Sequence, residues 1–305
     1  MKPNDYLKKI LDQQTFDDQE QEMKDLLKRR EDIGKGLRTH FSKSSPSICW
    51  AGSRAKRTMI RESYDGDVTC YFPHDESEAG DNLAEIYSNA VEALTADYFV
   101  ERKPSAIRVR DKELKTDLHV DVVPGRYTTE DKDDVFLHRS SGEKQRLKTN
   151  PQIHIAHIRD SGQTDAIRLA KLWKVRNGLT AKTFVLELLV VKLLKDKKSS
   201  GLSTQLEHVW TEFRDRPDSL CVEDPANPQG NDLKPLLDQV RQQLAMVANT
   251  TLASIEESGW ESVFGAVDAD DGGADDDDKK AGLSAAVAHV KKHVSNPTKP
   301  WIDRA

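Results

Sequence analysis

Residues 52 to 67 read GSRAKRTMIRESYDGD, a Gly-Ser pair followed twelve residues later by two aspartates with one glycine between them. Residues i and i+2 of a β-strand face the same way, so Asp65 and Asp67 would present their carboxylates together to a hard divalent cation. Alone the pair is weak: Asp268-Ala269-Asp270 shows how easily it arises, and a solvated turn would carry it equally well. A third acid strengthens the reading. Asp121 stands in HVDVV among Val120, Val122 and Val123, where a charge is costly to bury without a partner or a metal. Three acids on neighbouring strands can hold two Mg²⁺ ions. Gly52 would let the backbone approach a phosphate, and the Ser53 hydroxyl with the N–H groups around it can cradle phosphate oxygens.

Elements that could position these residues follow from periodicity. The stretch Phe16 to Phe41 carries Met23, Leu26, Leu27, Ile33, Leu37 and Phe41 at helical intervals and predicts one long amphipathic helix. SICWAG and VTCYF read as buried strands, DNLAEIYSNAVEALTADYF as a helix and AIRVRD as a strand, while KTDLHVDVV alternates until Pro124-Gly125 stops it. IRLAKLWKVRNG, AKTFVLELLVVKLLKD, STQLEHVWTEFRD and LKPLLDQVRQQLAMVANTTLASI are helical by period, with Trp173 and the leucines of 184–194 at core spacing. Seven aspartates between Val267 and Lys280 predict a disordered link, followed by a small amphipathic helix, LSAAVAHVKKHV.

The chain has 305 residues, 32% of them charged, and a formal net charge of -6. No apolar run approaches the ~20 residues of a membrane span, and the N-terminus lacks a secretory pattern, so a cytoplasmic protein without a membrane partner is expected. The acidic balance argues against long nucleic acid as a partner. Cys49, Cys70 and Cys221 lack zinc or redox spacing and read as reduced and structural. His154 with His157, and His289 with His293, have helical ligand spacing, but with no third ligand placed to complete a zinc site they read as surface or packing residues.

GSRAKRTMIRESYDGDV followed by DLHVDVVPG resembles the polymerase-β-type nucleotidyltransferases. KTNPQIH, IRLAKLWKVRNG, AKTFVLELL and VEDPANPQGND narrow the likeness to the oligoadenylate-synthetase branch and its bacterial CD-NTases, relatives of cyclic GMP-AMP synthase that act in antiphage (CBASS) defence. The resemblance covers about residues 45 to 265. It implies that Asp65 and Asp67 bridge two Mg²⁺ ions, with Mn²⁺ able to substitute, and that Asp121 holds the ion activating a sugar hydroxyl. It further implies that Gly52 and Ser53 grip the donor triphosphate, with Lys171 and the Thr183 hydroxyl reaching it from a helical lobe. From the residues alone, Lys171 could equally be an exposed lysine of an amphipathic helix, and Thr183 a helix N-cap. Arg57 stands where the family has glycine, and Gly66 replaces an apolar residue, which predicts a small core gap. Tyr71 and Tyr127 are candidates for stacking on a base.

The expected fold is α/β (α+β), a two-lobed polymerase-β-like nucleotidyltransferase with a mixed sheet. Residues 1–150 are expected to form the catalytic lobe with an N-terminal brace helix, 151–265 the helical lobe, 266–282 the acidic link and 283–305 a C-terminal helix and tail. The activity implied is synthesis of a cyclic di- or trinucleotide messenger from ATP and other ribonucleoside triphosphates. The alternatives are an RNA-extending enzyme of the poly(A) or CCA-adding type, a linear oligoadenylate synthetase, and a catalytically silent binding protein. A regulatory protein partner, or conjugation through the terminal Ala305, is compatible with the family.

Overall fold

The computed structural model describes residues 1–112, 118–141 and 144–267. The chain opens with two helices, α1 (Pro3–Gln13) and α2 (Gln21–His40). The single helix expected over 16–41 begins only at Gln21, because the acids before it close a turn on themselves: the Gln19 amide donates to the Asp17 carboxylate and the Asp17 amide to Glu20. α1 escaped the sequence reading, although Tyr6, Leu7, Ile10 and Leu11 recur at helical spacing and are all buried.

A seven-stranded mixed sheet follows, built from β1 (Ser47–Trp50), β2 (Gly66–Phe72), β3 (Tyr98–Arg102), β4 (Ile107–Asp111), β5 (Val120–Tyr127), β6 (Val135–His138) and β7 (Arg146–Thr149). The order is β1-β2-β5-β4-β3, with β6 added to β5 and β7 to β6. Among the described strands only β2 and β5 pair in parallel. β1 is an edge strand and half-exposed, so the buried strand expected there is corrected. α3 (Gly52–Lys56) joins β1 to β2, and α4 (Leu83–Thr95) crosses over towards β5, ending before the ADYF segment, which turns into β3.

Pro124-Gly125 does not stop β5. Pro124 sits where β5 changes neighbours, paired with β4 through Val122 and with β6 from Gly125, so its missing N–H leaves neither ladder short. Gly125 is required by the close approach of β6, since a Cβ there would lie 2.8 Å from the Phe136 carbonyl oxygen.

The second half is helical: α5 (Pro151–Arg159), α6 (Thr164–Arg176), α7 (Thr183–Leu193), α8 (Leu202–Asp215), α9 (Lys234–Asp238), α10 (Arg241–Ser258) and α11 (Glu261–Phe264). The helix expected over LKPLLDQVRQQL is broken between α9 and α10. Trp173 is fully buried at the centre of this lobe, as its spacing predicts, and packs there against the equally buried Trp210 and Phe213. α1 packs into this same core, whereas α2 packs under the sheet. No helix among the described residues is long and apolar enough to cross a membrane. Apart from Ala266 and Val267, the expected acidic link and C-terminal helix lie outside the described residues, as do His289 and His293.

His154 does pack, as expected, but through an acid that sequence reading missed. Asp224 is buried and accepts hydrogen bonds from His154 Nε2 at 2.6 Å, Asn231 Nδ2 at 2.7 Å and the Ala226 amide at 2.9 Å. Burial pushes its carboxyl up, but these donors outweigh burial and hold it down at about 2. Asn227 then donates to the Lys148 carbonyl, fastening the loop to β7. Because the folded carboxyl lies below its ordinary value, its stabilisation is complete above about pH 4 and is lost as pH falls towards 2. Asp224→Ala is expected to cost about 3 kcal/mol in urea unfolding at pH 7, and much less near pH 2.

Candidate active site

In the parallel pairing of β2 with β5, Asp67 lies directly opposite Asp121, and the Gly66 amide donates to the His119 carbonyl. Asp65, one residue before β2, therefore stands at the same sheet end, its Oδ2 3.6 Å from His119 Nε2. The three acids differ in their compensation. Arg108 faces Asp121 across the β4–β5 ladder and grips it with two hydrogen bonds of 2.8 and 2.9 Å, which supplies the partner that a carboxylate among valines requires. Burial raises the Asp65 carboxyl, but His119, Lys171 and Arg108 outweigh it and leave the group below its ordinary value. Asp67 goes the other way: burial and then the neighbouring Asp65 and Asp121 push it up to about 7.

Gly52 lies against this last acid with φ +54°, and a Cβ built on it would fall 1.6 Å from Asp67 Oδ2. Only glycine permits that approach. The Ser53 hydroxyl oxygen is buried without a hydrogen-bond partner. α3 ends at Arg57, which adopts the left-handed conformation (φ 62°) that explains the glycine of the related motif; arginine tolerates it at a cost of about 1 kcal/mol. The gap expected at Gly66 does not exist, because Val120 and Leu26 close on it to 3.0 and 3.1 Å of where a Cβ would stand.

Lys171 is buried, not an exposed helix lysine, and donates to the Thr58 carbonyl at 2.6 Å. Burial lowers it to about 8, against the opposing pull of Glu187 and Asp65. Glu187, also buried, accepts from Thr58 Oγ1 and Lys56 Nζ, each at 2.8 Å, and so ties α7 to the segment after Ser53. Thr183 is not an N-cap; it opens α7 behind Lys182, and its hydroxyl accepts from Lys174 at 3.1 Å. Tyr71 and Tyr127 pack edge-to-face in a small cluster with Val135 and Leu137. Tyr71 is four residues beyond Asp67 on β2, about 13 Å away, so it is no stacking platform beside the acids.

The structure thus gathers Gly52, Ser53, Asp65, Asp67 and Asp121 at one sheet end and sets Lys171 behind them. Sequence reasoning missed Arg108, His119, Thr58 and Glu187. The signal for Glu187 was present, since an acid inside VLELL demands a partner for the reason applied to Asp121. Among the described residues no three ligands stand as a ready-made metal cluster. Asp121 is gripped by Arg108, and Asp65 lies beside His119. The donor set nevertheless fits a cation: three neighbouring carboxylates, one of which is pushed up to about 7 by burial and by the two acids beside it.

Two outcomes follow. The folded Asp67 carboxyl lies above its ordinary value of 3.8, so stability falls as pH rises from about 4 to 7. Asp67→Asn should raise the melting temperature in EDTA at pH 8, with the gain vanishing near pH 4, and Mg²⁺ should stabilise the wild type more than the variant. Glu187→Ala, which strands Lys56 and Lys171 without their counter-charge, should cost about 3 kcal/mol in urea unfolding, and Glu187→Gln less.

No protein-family model matches the chain, and no curated protein does. Solved structures do. The CD-NTase CdnG of Bradyrhizobium diazoefficiens, in complex with GTP, superposes with a TM-score of 0.67 over 93% of this chain and 98% of its own, at 12% identity. CdnC of E. coli MS115-1 with ATP gives 0.62 over 87% and 98%, at 20% identity. Vibrio cholerae DncV, a cyclic AMP-GMP synthase, in complex with the linear intermediate 5′ pppA(3′,5′)pG, gives 0.56 over 74% and 68%, at 19% identity. The likeness expected from residues 52–67 and 117–125 therefore holds at the level of architecture, and the chain has the two-lobed, polymerase-β-like fold of the CD-NTases.

Proposed function

We propose that the protein is a metal-dependent nucleotidyltransferase that builds a cyclic di- or trinucleotide from ribonucleoside triphosphates. The observation that carries this reading is the register placing Asp67 opposite Asp121 on parallel strands, with Gly52 packed against the Asp67 carboxylate. The similar structures support it, since they include the cyclic dinucleotide synthase CdnE with GTP, the cyclic AMP-GMP synthase DncV with a linear intermediate, and CdnC with ATP.

Asp65, Asp67 and Asp121 would hold two Mg²⁺ ions. When bound, such ions polarise the α-phosphate, lower the pKa of the attacking hydroxyl and neutralise the departing pyrophosphate. This chain's own residues do the positioning. The unpartnered Ser53 hydroxyl would bond a phosphate oxygen, and Gly52, by letting the Asp67 carboxylate close on the backbone, would keep that acid beside the bound triphosphate. Lys171 and Lys174 offer positive charge from the helical lobe, the second with Thr183. Asp121 must share or release Arg108 to gain free oxygens, so the Arg108 pairing sets how readily the third acid becomes available. The acceptor sugar oxygen then bonds to the α-phosphorus as pyrophosphate leaves and the hydroxyl proton passes to solvent; one further transfer closes a dinucleotide ring, and two close a trinucleotide.

A cytoplasmic role in antiphage signalling, with a regulatory protein partner, belongs to the same proposal. CdnC in complex with HORMA-deltaN offers a precedent for such a partner. The RNA-extending and linear-oligoadenylate alternatives are distinguished by product. Incubation with the four labelled ribonucleotides and Mg²⁺ should yield a short product resistant to phosphatase, with added tRNA or oligo(A) left unextended. Asp65→Asn with Asp67→Asn should abolish pyrophosphate release in a folded protein. Growth of labelled RNA without a small cyclic product would overturn the reading, as would turnover by the double variant.

A further inference from the structure

A cavity of about 920 Å³ lies away from the three acids, at the far end of the same strands. Its floor is one face of the β5–β6–β7 ribbon. Arg126 pairs with Phe136 and Phe136 with Lys148, one row across three strands; His138 pairs with Arg146 in the next row of that face. Asn82, Leu83 and Ala84 at the start of α4 form one wall, and Asn227 and Gly230 of the loop anchored by Asp224 form another. Arg126 is five residues beyond Asp121 on β5, about 16 Å along the strand, so the catalytic carboxylates do not reach this space.

The lining has a definite chemistry. Arg126, His138, Lys144, Arg146 and Lys148 all border it, and among the described residues no carboxylate does. Asp134 engages Lys148 at 2.6 Å outside the lining. Glu85 is occupied in capping α4 through the Asp81 amide and Asn82. The Arg126 head is tied to the Gly80 and Asp81 carbonyls while its Nε is buried without a partner. The Arg146 guanidinium lies 4.6 Å from the centre of the Phe136 ring, an aromatic and cationic surface against which a planar ring can lie. The volume is that of a small-molecule site.

We infer that this cavity is a second ligand site, outside the catalytic cleft, for a small anionic molecule carrying a planar ring, of the nucleoside bisphosphate class. The ring rests on Phe136 and Arg146, and the anionic groups meet Lys144 and Arg126. The inference does not depend on the proposed reaction, and its readout is binding alone. Lys144 and Arg146 are exposed on the outer hairpin, so replacing them does not disturb the core.

Calorimetric titration of the full chain in EDTA with adenosine and guanosine 3′,5′-bisphosphates tests it, with pyrophosphate and free nucleosides as the anion-only and ring-only arms. Saturable 1:1 binding is expected for at least one bisphosphate. Lys144→Ala with Arg146→Ala should weaken it at least about tenfold, the scale of losing charge-assisted contacts, whereas Asp65→Asn with Asp67→Asn should leave it in place. The site is overturned if neither bisphosphate binds below about 1 mM, if pyrophosphate binds as tightly as the bisphosphates, or if the aspartate pair removes binding and the basic pair does not.

Discussion

Crowding of like charge at one end of β2 and β5 is the constraint around which the rest is arranged. Two carboxylates set directly opposite each other on paired strands, with a third one residue before the first strand, repel one another in a place that water reaches poorly. Nearly every unusual local choice answers that repulsion. β4 lies beside β5 and brings Arg108 opposite Asp121; His119 stands at the mouth of β5 beside Asp65; Lys171 is driven into the floor despite a lowered affinity for its proton. One acid is left under-compensated, and Asp67 is the one on which Gly52 closes. The cluster keeps that deficit of positive charge at the expense of its own stability, as a group of buried like charges does.

The facing lobe answers the same electrostatics at one remove. Glu187 balances Lys56 from the sheet side and Lys171 from its own, with Thr58 between them, so the segment carrying Ser53 is held in relation to α6 and α7 by buried hydrogen-bonded charges. Such contacts are directional and leave little tolerance for misplacement. The segment that carries Ser53 is therefore fixed by the lobe opposite as much as by the strand that follows it.

What could be read from the residues was whatever depends on spacing along the chain. Asp65, Asp67 and Asp121, the Gly52-Ser53 pair, the helices of the second half and the packing role of Trp173 fall in that class. What could not be read depends on which strands become neighbours. Arg108 gains its meaning only when β4 is known to flank β5, and β6 and β7 are short strands that form a ladder only with each other and with the end of β5. Pro124 misled because a proline is harmful in a strand only where an N–H is needed, and pairing decides that. Gly66 misled in the opposite sense: the missing side chain is replaced from another element, α2, through Leu26.

The two cores divide the chain in an order that matters during synthesis. Every described strand has emerged by Thr149, so the layer of α2, α4 and sheet can close while the chain is still growing. The helical core cannot: it needs α1 from the beginning and Trp260 and Phe264 from the end, where Tyr6 donates to the Gly265 carbonyl at 2.6 Å. At ordinary elongation rates of roughly 5–20 residues per second, the apolar face of Tyr6, Leu7, Ile10 and Leu11 waits on the order of ten seconds or more for its last partners. The lobe proposed to supply the triphosphate lysines can thus be completed only later, and a nascent chain has all its acid-bearing strands available before the surface that faces them.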